Sequence, residues 1–382
     1  MQNVCKLNML LLTAVLFACS DKQSVASDYD NCTETFAFKN ERGGQWGLMD
    51  LDGQVLVSPR YNDPPTCIVN GCFSVLNEEN DKYDIYRLEE KPRKIGSFCA
   101  VGSFVDGLCP VVDDDHLKFI DTEGKTALDL KKINGKKVMC VYNFTSDLAV
   151  VKLEDDKWGY INKEGKLAIP AVYADAWDFY DGVAVVYLDD PDEKNGKWGV
   201  INTKGELLFS KNFGELIPTI RLFDGFLICS STEEVHVVLD KEGNEIIRMK
   251  PQQSISDSHH GYFTFYDEEK EKWGMMDKDG KLVVQDTYKM LHYNGKLLVA
   301  TADDDSNYLL SLEGKELGRL PEGEVYLFDE DYNRNGKRIM LGNSENGYQL
   351  IDEEGNEVKA ESEIYDYDCF LNKTTWIPIE EE

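Results

Sequence analysis

The stretch K-W-G-Y-I-N-K-E-G-K-L-A-I-P-A-V-Y, residues 157–173, contains the unit from which the chain is built. Strand-forming residues such as Trp158 and Ile161 precede the turn sequence N-K-E-G, and an apolar run follows it. Gly165 can take the positive φ at which the second strand resumes. Pro170 lacks a ladder donor and is expected to end that strand. The stretch is therefore predicted to be a β-hairpin.

The same hairpin recurs along the chain. In four copies a Trp is followed by Gly, and a second Gly lies seven residues after the Trp. These residues are Trp46, Gly47 and Gly53; Trp158, Gly159 and Gly165; Trp198, Gly199 and Gly205; and Trp273, Gly274 and Gly280. Five degenerate copies without the Trp begin at Tyr83, Leu117, His236, Asn307 and Tyr348. The repeat recurs about every 38 residues, a period typical of propellers and solenoids.

A second element repeats upstream of each hairpin, and it consists of a small turn followed by an apolar run. Examples are D-G-V-A-V-V from Asp181 and H-G-Y-F-T-F from His260. Together with the two strands of the hairpin, this run gives three strands per repeat. A short segment around Tyr61, Tyr173 or Tyr288 is a candidate fourth strand, which fits the usual strand length.

The copies that contain Trp, such as K-W-G-V-I-N-T-K-G-E from Lys197 and K-W-G-M-M-D-K-D-G-K from Lys272, resemble the WG-repeat (KWG-repeat) family. This family is found mostly in bacterial proteins, and the resemblance covers nearly all of the chain after about Phe36. It implies a repetitive β-array used for interactions, and it carries no catalytic residues. The degenerate copies depart from the family's pattern because they lack the Trp.

We therefore expect residues 36–382 to form an all-β repeat array of about eight or nine hairpin-containing units. A β-propeller-like ring is preferred because closure removes exposed strand edges, and an open β-solenoid is the alternative. Nine units exceed the roughly four to eight blades typical of propellers, so the copy at Tyr83 is a candidate loop within a blade. The segment from Ile364 to Leu371 is a candidate closing strand that would pair near Phe36.

The start of the chain has the pattern of an export signal. Lys6 precedes a short apolar run, residues 7–17, that is too short to span a bilayer. The sequence L-F-A-C-S that follows at residues 16–20 resembles the bacterial lipobox, which implies lipidation of Cys19. Residues 1–18 are then a lipoprotein signal peptide and residues 19–35 a flexible tether. The expected location is the bacterial cell envelope, as a periplasmic or surface-exposed outer-membrane lipoprotein.

The recurring Trp residues are expected to pack between neighbouring repeats, because a buried indole removes a large apolar area from water. A row of indoles that stacks on a ligand is the alternative. Trp177, Phe179 and Tyr180 lie outside the repeat pattern. Core packing is favoured for these three residues, and an exposed aromatic patch that contacts a glycan or peptide is the alternative.

Composition and motifs disfavour several classes of function. The formal net charge of −30 disfavours nucleic acid as a partner. No common catalytic or phosphate-binding motif occurs, and no zinc-binding spacing is present, so we expect no enzyme activity, no cofactor and no metal. Cys67 and Cys72 flank a turn and are the best candidates for a disulfide.

These observations favour a non-enzymatic interaction scaffold that contacts the membrane through its lipid and binds a protein or other partner in the envelope. A glycan-binding accessory lipoprotein is the alternative. A hydrolase that uses carboxylates in the central channel of a propeller is the least favoured reading.

Overall fold

A computed structural model describes residues 34–113, 116–188, 197–211, 216–223, 225–231, 235–328, 338–343, 347–368 and 376–378. Over these ranges every regular element is a β-strand. The strands form nine small antiparallel sheets, which are the nine blades of a β-propeller. None of the described residues belongs to a helix that could cross a membrane.

The blades follow one another in chain order, and their strands are numbered in the same order. Blades 1 to 3 contain β1 (Thr35–Lys39), β2 (Trp46–Asp50) and β3 (Val55–Tyr61); β4 (Cys72–Asn77), β5 (Lys82–Arg87) and β6 (Arg93–Phe98); and β7 (Ala100–Val101), β8 (Leu108–Asp113), β9 (His116–Asp121) and β10 (Thr126–Asp129). Blades 4 and 5 contain β11 (Lys132–Ile133), β12 (Lys136–Thr145), β13 (Leu148–Leu153), β14 (Trp158–Ile161) and β15 (Leu167–Tyr173); and β16 (Asp175–Ala176), β17 (Val183–Leu188), β18 (Lys197–Asn202) and β19 (Leu207–Lys211).

The remaining blades have the same organisation. Blades 6 and 7 contain β20 (Leu216–Phe223), β21 (Phe226–Ser231), β22 (His236–Asp240) and β23 (Glu245–Arg248); and β24 (Gln253–His259), β25 (Tyr262–Asp267), β26 (Lys272–Asp277) and β27 (Leu282–Tyr288). Blades 8 and 9 contain β28 (Met290–Tyr293), β29 (Leu298–Thr301), β30 (Asn307–Leu310) and β31 (Glu316–Arg319); and β32 (Glu324–Leu327), β33 (Arg338–Asn343) and β34 (Gly347–Asp352). Two later strands, β35 (Asp366–Asp368) and β36 (Trp376–Pro378), return to blades 1 and 4.

Within a blade the strands pair in chain order from the centre of the ring to its rim. In blade 7, for example, the order is β24, β25, β26 and β27. The last strand lies at the rim, since strands such as β10 and β31 are mostly exposed. The first strand therefore faces the central channel. The predicted apolar run and the two strands of the hairpin are the second, third and fourth strands of each complete blade.

The ring is closed by a strand from the far end of the array. β35 pairs antiparallel with β1, with Phe38 opposite Tyr367 and Lys39 opposite Asp366. The ring of Phe36 packs 5.7 Å from Phe328 and 6.4 Å from Tyr367, measured between ring centroids. The predicted closing strand is thus confirmed, and the open solenoid is wrong. Residues 369–371 of the predicted strand lie outside the described part.

Neighbouring blades share hydrophobic clusters, and these clusters are the core of the ring. The second and third strands of a blade are buried on both faces, as in β17, whose first four residues are all buried. This burial explains why their sequences are continuous apolar runs instead of an alternation of apolar and polar residues. Stability is therefore distributed over the contacts between blades.

Three details of the predicted repeat are wrong. The copy at Tyr83 is not a loop, because it forms β5 in a sheet of its own with β4 and β6. The segments around Tyr61, Tyr173 and Tyr288 are not a fourth strand, since each Tyr ends the rim strand of its hairpin. The additional strand of a complete blade instead precedes the small turn. Pro170 does not end its strand, since β15 continues to Tyr173.

The candidate disulfide is not formed in the structure. Cys67 and Cys72 are buried thiols in the structure. The Sγ of Cys67 donates to the carbonyl oxygen of Thr35 at 3.1 Å, and the Sγ of Cys72 donates to that of Thr122 at 3.8 Å. Burial raises the pKa of Cys72 to about 11, so this thiol stays protonated at neutral pH.

Candidate functional site

In eight of the nine blades the turn of the hairpin is held by its first polar side chain. In the hairpin of residues 157–173, the Oδ1 of Asn162 accepts hydrogen bonds from the backbone N–H groups of Glu164 at 3.2 Å and Lys166 at 3.0 Å. Gly165 takes a φ of 73°. Equivalent bonds are accepted by the side chains of Asp50, Asp121, Asn202, Asp240, Asp277, Ser311 and Asp352. The repeated Asp or Asn is therefore a turn residue.

In three of the four copies that contain Trp, the Gly after the Trp makes room for a bulge in the rim strand. Tyr160 lies opposite Ile169 and Trp158 opposite Tyr173, so β15 has two more residues than β14 over this stretch. A Cβ at Gly159 would come within 2.7 Å of the backbone nitrogen and Cα of Ala171. The same close approach occurs at Gly47, where a Cβ would lie 2.4 Å from the carbonyl oxygen of Val57. The Gly is needed because the bulged backbone passes over it.

Each repeated Trp lies between its own blade and the next one. Trp46 is 8% exposed and belongs to a cluster that contains residues of blades 1 and 2. Trp158, Trp198 and Trp273 are half-buried. Trp158 packs against the cluster between blades 4 and 5, Trp198 against the cluster between blades 5 and 6, and Trp273 against the cluster between blades 7 and 8. The Nζ of Lys39 lies 4.3 Å from the centroid of the Trp46 ring. These indoles contribute to contacts between blades.

The structure does not bring Trp177, Phe179 and Tyr180 together as an exposed patch. Phe179 is 1% exposed, and its ring centroid lies 4.8 Å from that of Tyr160. Trp177 and Tyr180 are half-buried against the cluster between blades 5 and 6. The ring of Trp177 packs 4.7 Å from that of Trp198. Phe179 is therefore packed in the core as favoured, and only parts of the Trp177 and Tyr180 rings reach solvent.

The predicted lipidation residue, Cys19, lies outside the described residues, as do the signal sequence and nearly all of the predicted tether. Among the described residues, no group of three or more His, Cys, Asp or Glu side chains is placed to hold a metal ion.

Two carboxyl groups on first strands have raised pKa values. Burial raises the pKa of Asp175 on β16. Burial and the nearby charge of Asp366 raise the pKa of Asp368 on β35. The two residues belong to blades 5 and 1, which are not neighbours in the ring. The structure therefore does not pair them across one blade contact.

The edge of β12 that faces away from β13 differs from the first-strand edges of the other described blades because another strand covers it. β12 has ten residues. The short strand β36 pairs with it antiparallel, with Cys140 opposite Pro378, Val141 opposite Ile377 and Tyr142 opposite Trp376. We call this stretch of β12, residues 140–142, the inner edge of blade 4. It is the candidate functional site.

Two buried polar side chains follow the inner edge of blade 4 on the same strand. Asn143 is 2% exposed, and neither its amide nitrogen nor its amide oxygen has a hydrogen-bond partner. The Oγ1 of Thr145 is also buried and without such a partner. Buried polar groups are rarely left in this state. A Cβ at Gly102 of blade 3 would lie 3.0 Å from the Oδ1 of Asn143, so this amide lies between blades 3 and 4.

Sequence reasoning missed the inner edge of blade 4. Two signals were present in the sequence: the long stretch K-K-V-M-C-V-Y-N-F-T, residues 136–145, and the apolar segment W-I-P-I, residues 376–379, next to three Glu residues. Neither belongs to the repeat. Their pairing joins segments that are far apart in the chain, and a local pattern cannot predict it.

Comparison with known families agrees with the geometry of the hairpins. Residues 46–71 and 158–190 match the family model described as WG containing repeat. The chain contains WG repeats. Both matched WG repeats begin at a Trp that packs between blades and include the rim strand that bulges over the following Gly. A search of curated proteins finds no match.

Solved structures support the fold of the WG-repeat ring. The chain is similar to a structure titled "Crystal structure of the eukaryotic initiation factor", with 11% sequence identity and a TM-score of 0.58. The match covers 87% of this chain and 97% of that one, and at this identity it shows the fold alone. BamB from Moraxella catarrhalis matches with 11% identity and a TM-score of 0.37, covering 68% of this chain and 86% of that one. The last similarity is too low to carry an argument.

Proposed function

We propose that this chain is a non-enzymatic interaction protein, held at the bacterial cell envelope by lipid on Cys19, whose WG-repeat propeller binds a protein partner. The observation that supports this most is the use of the repeated residues. The Trp residues pack between blades, three of the four Gly residues receive bulged rim strands, and the Asp or Asn residues hold the turns. The recurring residues thus build the ring and leave its surface free to vary, as in other repeat scaffolds.

The inner edge of blade 4 is the place where we expect the partner to bind. A strand edge offers a row of main-chain donors and acceptors to another polypeptide. A photo-crosslinking residue at Tyr142, which is half-buried on this edge, tests the proposal in cells. We expect it to trap a defined protein, whereas the same residue at the exposed rim position Leu317 should not. Equal labelling from both positions would contradict the proposed site.

The proposed anchor has a separate test. A Cys19→Ser variant should lose incorporation of labelled palmitate and leave the membrane fraction. Stable anchoring needs two lipid chains, or one lipid chain and a second contact with the membrane. Loss of the lipidated Cys19 should therefore release the chain. A variant that stays in the membrane fraction without label would contradict lipid anchoring.

Catalysis by channel carboxylates is tested by the pair of variants Asp175→Asn and Asp368→Asn. The proposal expects that partner crosslinking survives both changes. If the wild-type chain hydrolyses a polysaccharide and either variant abolishes this activity, the result would favour the hydrolase interpretation instead.

For the glycan-binding alternative, Trp177→Ala is the corresponding variant. Loss of glycan binding in this variant, with an unchanged melting temperature, would favour that alternative.

A further inference from the structure

The strand β36 is an addition to a ring that is already complete. Closure is made by β35 on β1, and blade 4 has its hairpin and its preceding strands without β36. β36 covers only residues 140–142 of β12. Removing it would therefore leave the contacts between blades in place and uncover main-chain groups of the inner edge of blade 4.

We infer that the inner edge of blade 4 is an exchangeable docking site for an extended polypeptide segment of a partner protein, and that β36 is its resident occupant. This inference rests on the proposed interaction function for its role in the cell, and it names the kind of partner. The partner segment adds to β12 as an antiparallel strand, in the place of β36.

The register shows which hydrogen bonds hold the occupant. In an antiparallel ladder, opposite residues alternate between pairs that exchange two hydrogen bonds and pairs that exchange none. Pro378 has no N–H and cannot complete such an exchange with Cys140. The exchanging pair is therefore Val141 and Ile377. Among the described residues of β36 this is the one pair that exchanges main-chain bonds with β12, and so small a described contact suits exchange.

The positive charge beside the inner edge of blade 4 favours a partner segment that contains acidic residues. The β11–β12 hairpin has the sequence K-K-I-N-G-K-K, residues 131–137, in a chain whose net charge is −30. Lys131, Lys132 and Lys136 are exposed. A segment in the direction of β36 runs towards this hairpin after its paired residues, because the pairing is antiparallel. Acidic residues that follow the paired stretch would thus meet these lysines. In this chain, residues 380–382 are all Glu.

The test uses the full chain with Ile377→Pro, which removes the N–H of the exchanging pair, and Ile377→Val as the matched control. The probe is a fluorescein-labelled peptide with the sequence of residues 373–382, K-T-T-W-I-P-I-E-E-E. Fluorescence anisotropy should show that it binds the Ile377→Pro chain about tenfold or more tightly than the control. A probe N-methylated at the Ile position should lose this binding, and added salt should weaken it. No binding to a variant that keeps its melting temperature would overturn the inference.

A second measurement needs no variant. By the same register, the amide of Val141 faces β36, whereas the amides of Cys140 and Tyr142 face β13. If the occupant exchanges, hydrogen exchange at Val141 should be about tenfold or more faster than at its two neighbours. Equal exchange at the three amides would show that β36 is a fixed part of the fold and would overturn the inference. That result would leave the proposed interaction function to its own crosslinking test.

Discussion

Tyr61 lies directly opposite Trp46 in the first WG repeat, although the two strands reach this pair by paths of different length. From the pair Leu48 and Val57, the third strand of the blade takes two steps to Trp46, and the rim strand takes four steps to Tyr61. Gly47 lies under the extra residues. The same two-against-four arrangement joins Trp158 to Tyr173 and Trp273 to Tyr288. The Trp–Gly pair and the distant Tyr are therefore parts of one bulged strand pair.

The first prediction concerns Gly47, which lies under this bulge. A Cβ at Gly47 would lie 2.4 Å from the carbonyl oxygen of Val57 and 2.8 Å from the nitrogen of Pro59. Since both atoms belong to the backbone, Gly47→Ala should destabilise the chain by about 2 kcal/mol or more. Gly318→Ala is the control, because a Cβ there meets nothing within 4 Å. Melting curves of the two variants check the prediction, and equal losses would contradict the role of the bulge.

The second prediction concerns the indole itself. Trp46 belongs to the cluster shared by blades 1 and 2, together with Phe73 and Val75. Trp46→Ala should therefore cost about 3–5 kcal/mol of stability through the cavity it leaves. Hydrogen exchange should accelerate in blades 1 and 2 more than in blade 7. A variant that melts like the wild type but loses a ligand would instead assign the repeated indoles to binding.

The third prediction concerns a buried carboxylate in the degenerate copy at Tyr83. Asp84 accepts hydrogen bonds from the side chains of Ser97 at 2.7 Å and Asn77 at 3.1 Å, and it pairs with Lys94 at 2.7 Å. Burial acts to raise the pKa of Asp84, but these bonds outweigh it, so the pKa lies below its usual value. Asp84→Ala should cost about 2–3 kcal/mol at neutral pH.

The pH dependence of this contribution has a defined sign. A lowered folded-state pKa means that the stabilisation by Asp84 is present above the usual pKa of an Asp and is lost as the pH falls through the folded-state value. The loss in melting temperature caused by Asp84→Ala should therefore shrink below about pH 4. A loss that is the same at pH 7 and in acid would show that the charge of Asp84 is not what stabilises this blade.

The fourth prediction has the opposite sign. The pKa of Asp368 is raised by burial and by the charge of Asp366, so the ionised carboxylate opposes closure of the ring. Asp368→Asn should raise the melting temperature at neutral pH. This gain should fade as the pH falls from the folded-state pKa towards the usual value, because the wild-type carboxyl then takes up its proton in the folded state. Asp366→Asn should give part of the same gain.

Much of this architecture could be predicted from the sequence because residues close together in the chain determine each repeat. Turn residues such as Asn162 and Gly165 fix the hairpins, and the shared period indicates eight or nine units. The closing strand was predictable from its position after the last repeat. Strands of two residues, such as β16, have no pattern of their own, so the first strand of the blades was missed.

The remaining differences have physical causes as well. Pro170 continues a strand because β15 is at the rim, where a missing N–H need not face a partner. The inner edge of blade 4 depends on a pairing between β12 and β36, which lie outside the repeat pattern. The candidate site was therefore the part that local patterns could least predict.

The closed ring is the central claim, and disulfide trapping tests it most directly. Lys39 and Asp366 lie opposite each other in the closing pair of strands, at a separation that suits a disulfide. The variant Lys39→Cys/Asp366→Cys, made in a Cys99→Ser background because Cys99 is exposed, should form an intramolecular disulfide on mild oxidation and melt at a higher temperature. Lys39→Cys combined with Lys278→Cys, in blade 7, should stay reduced. Failure of the first pair to cross-link, in a folded protein, would contradict the ring.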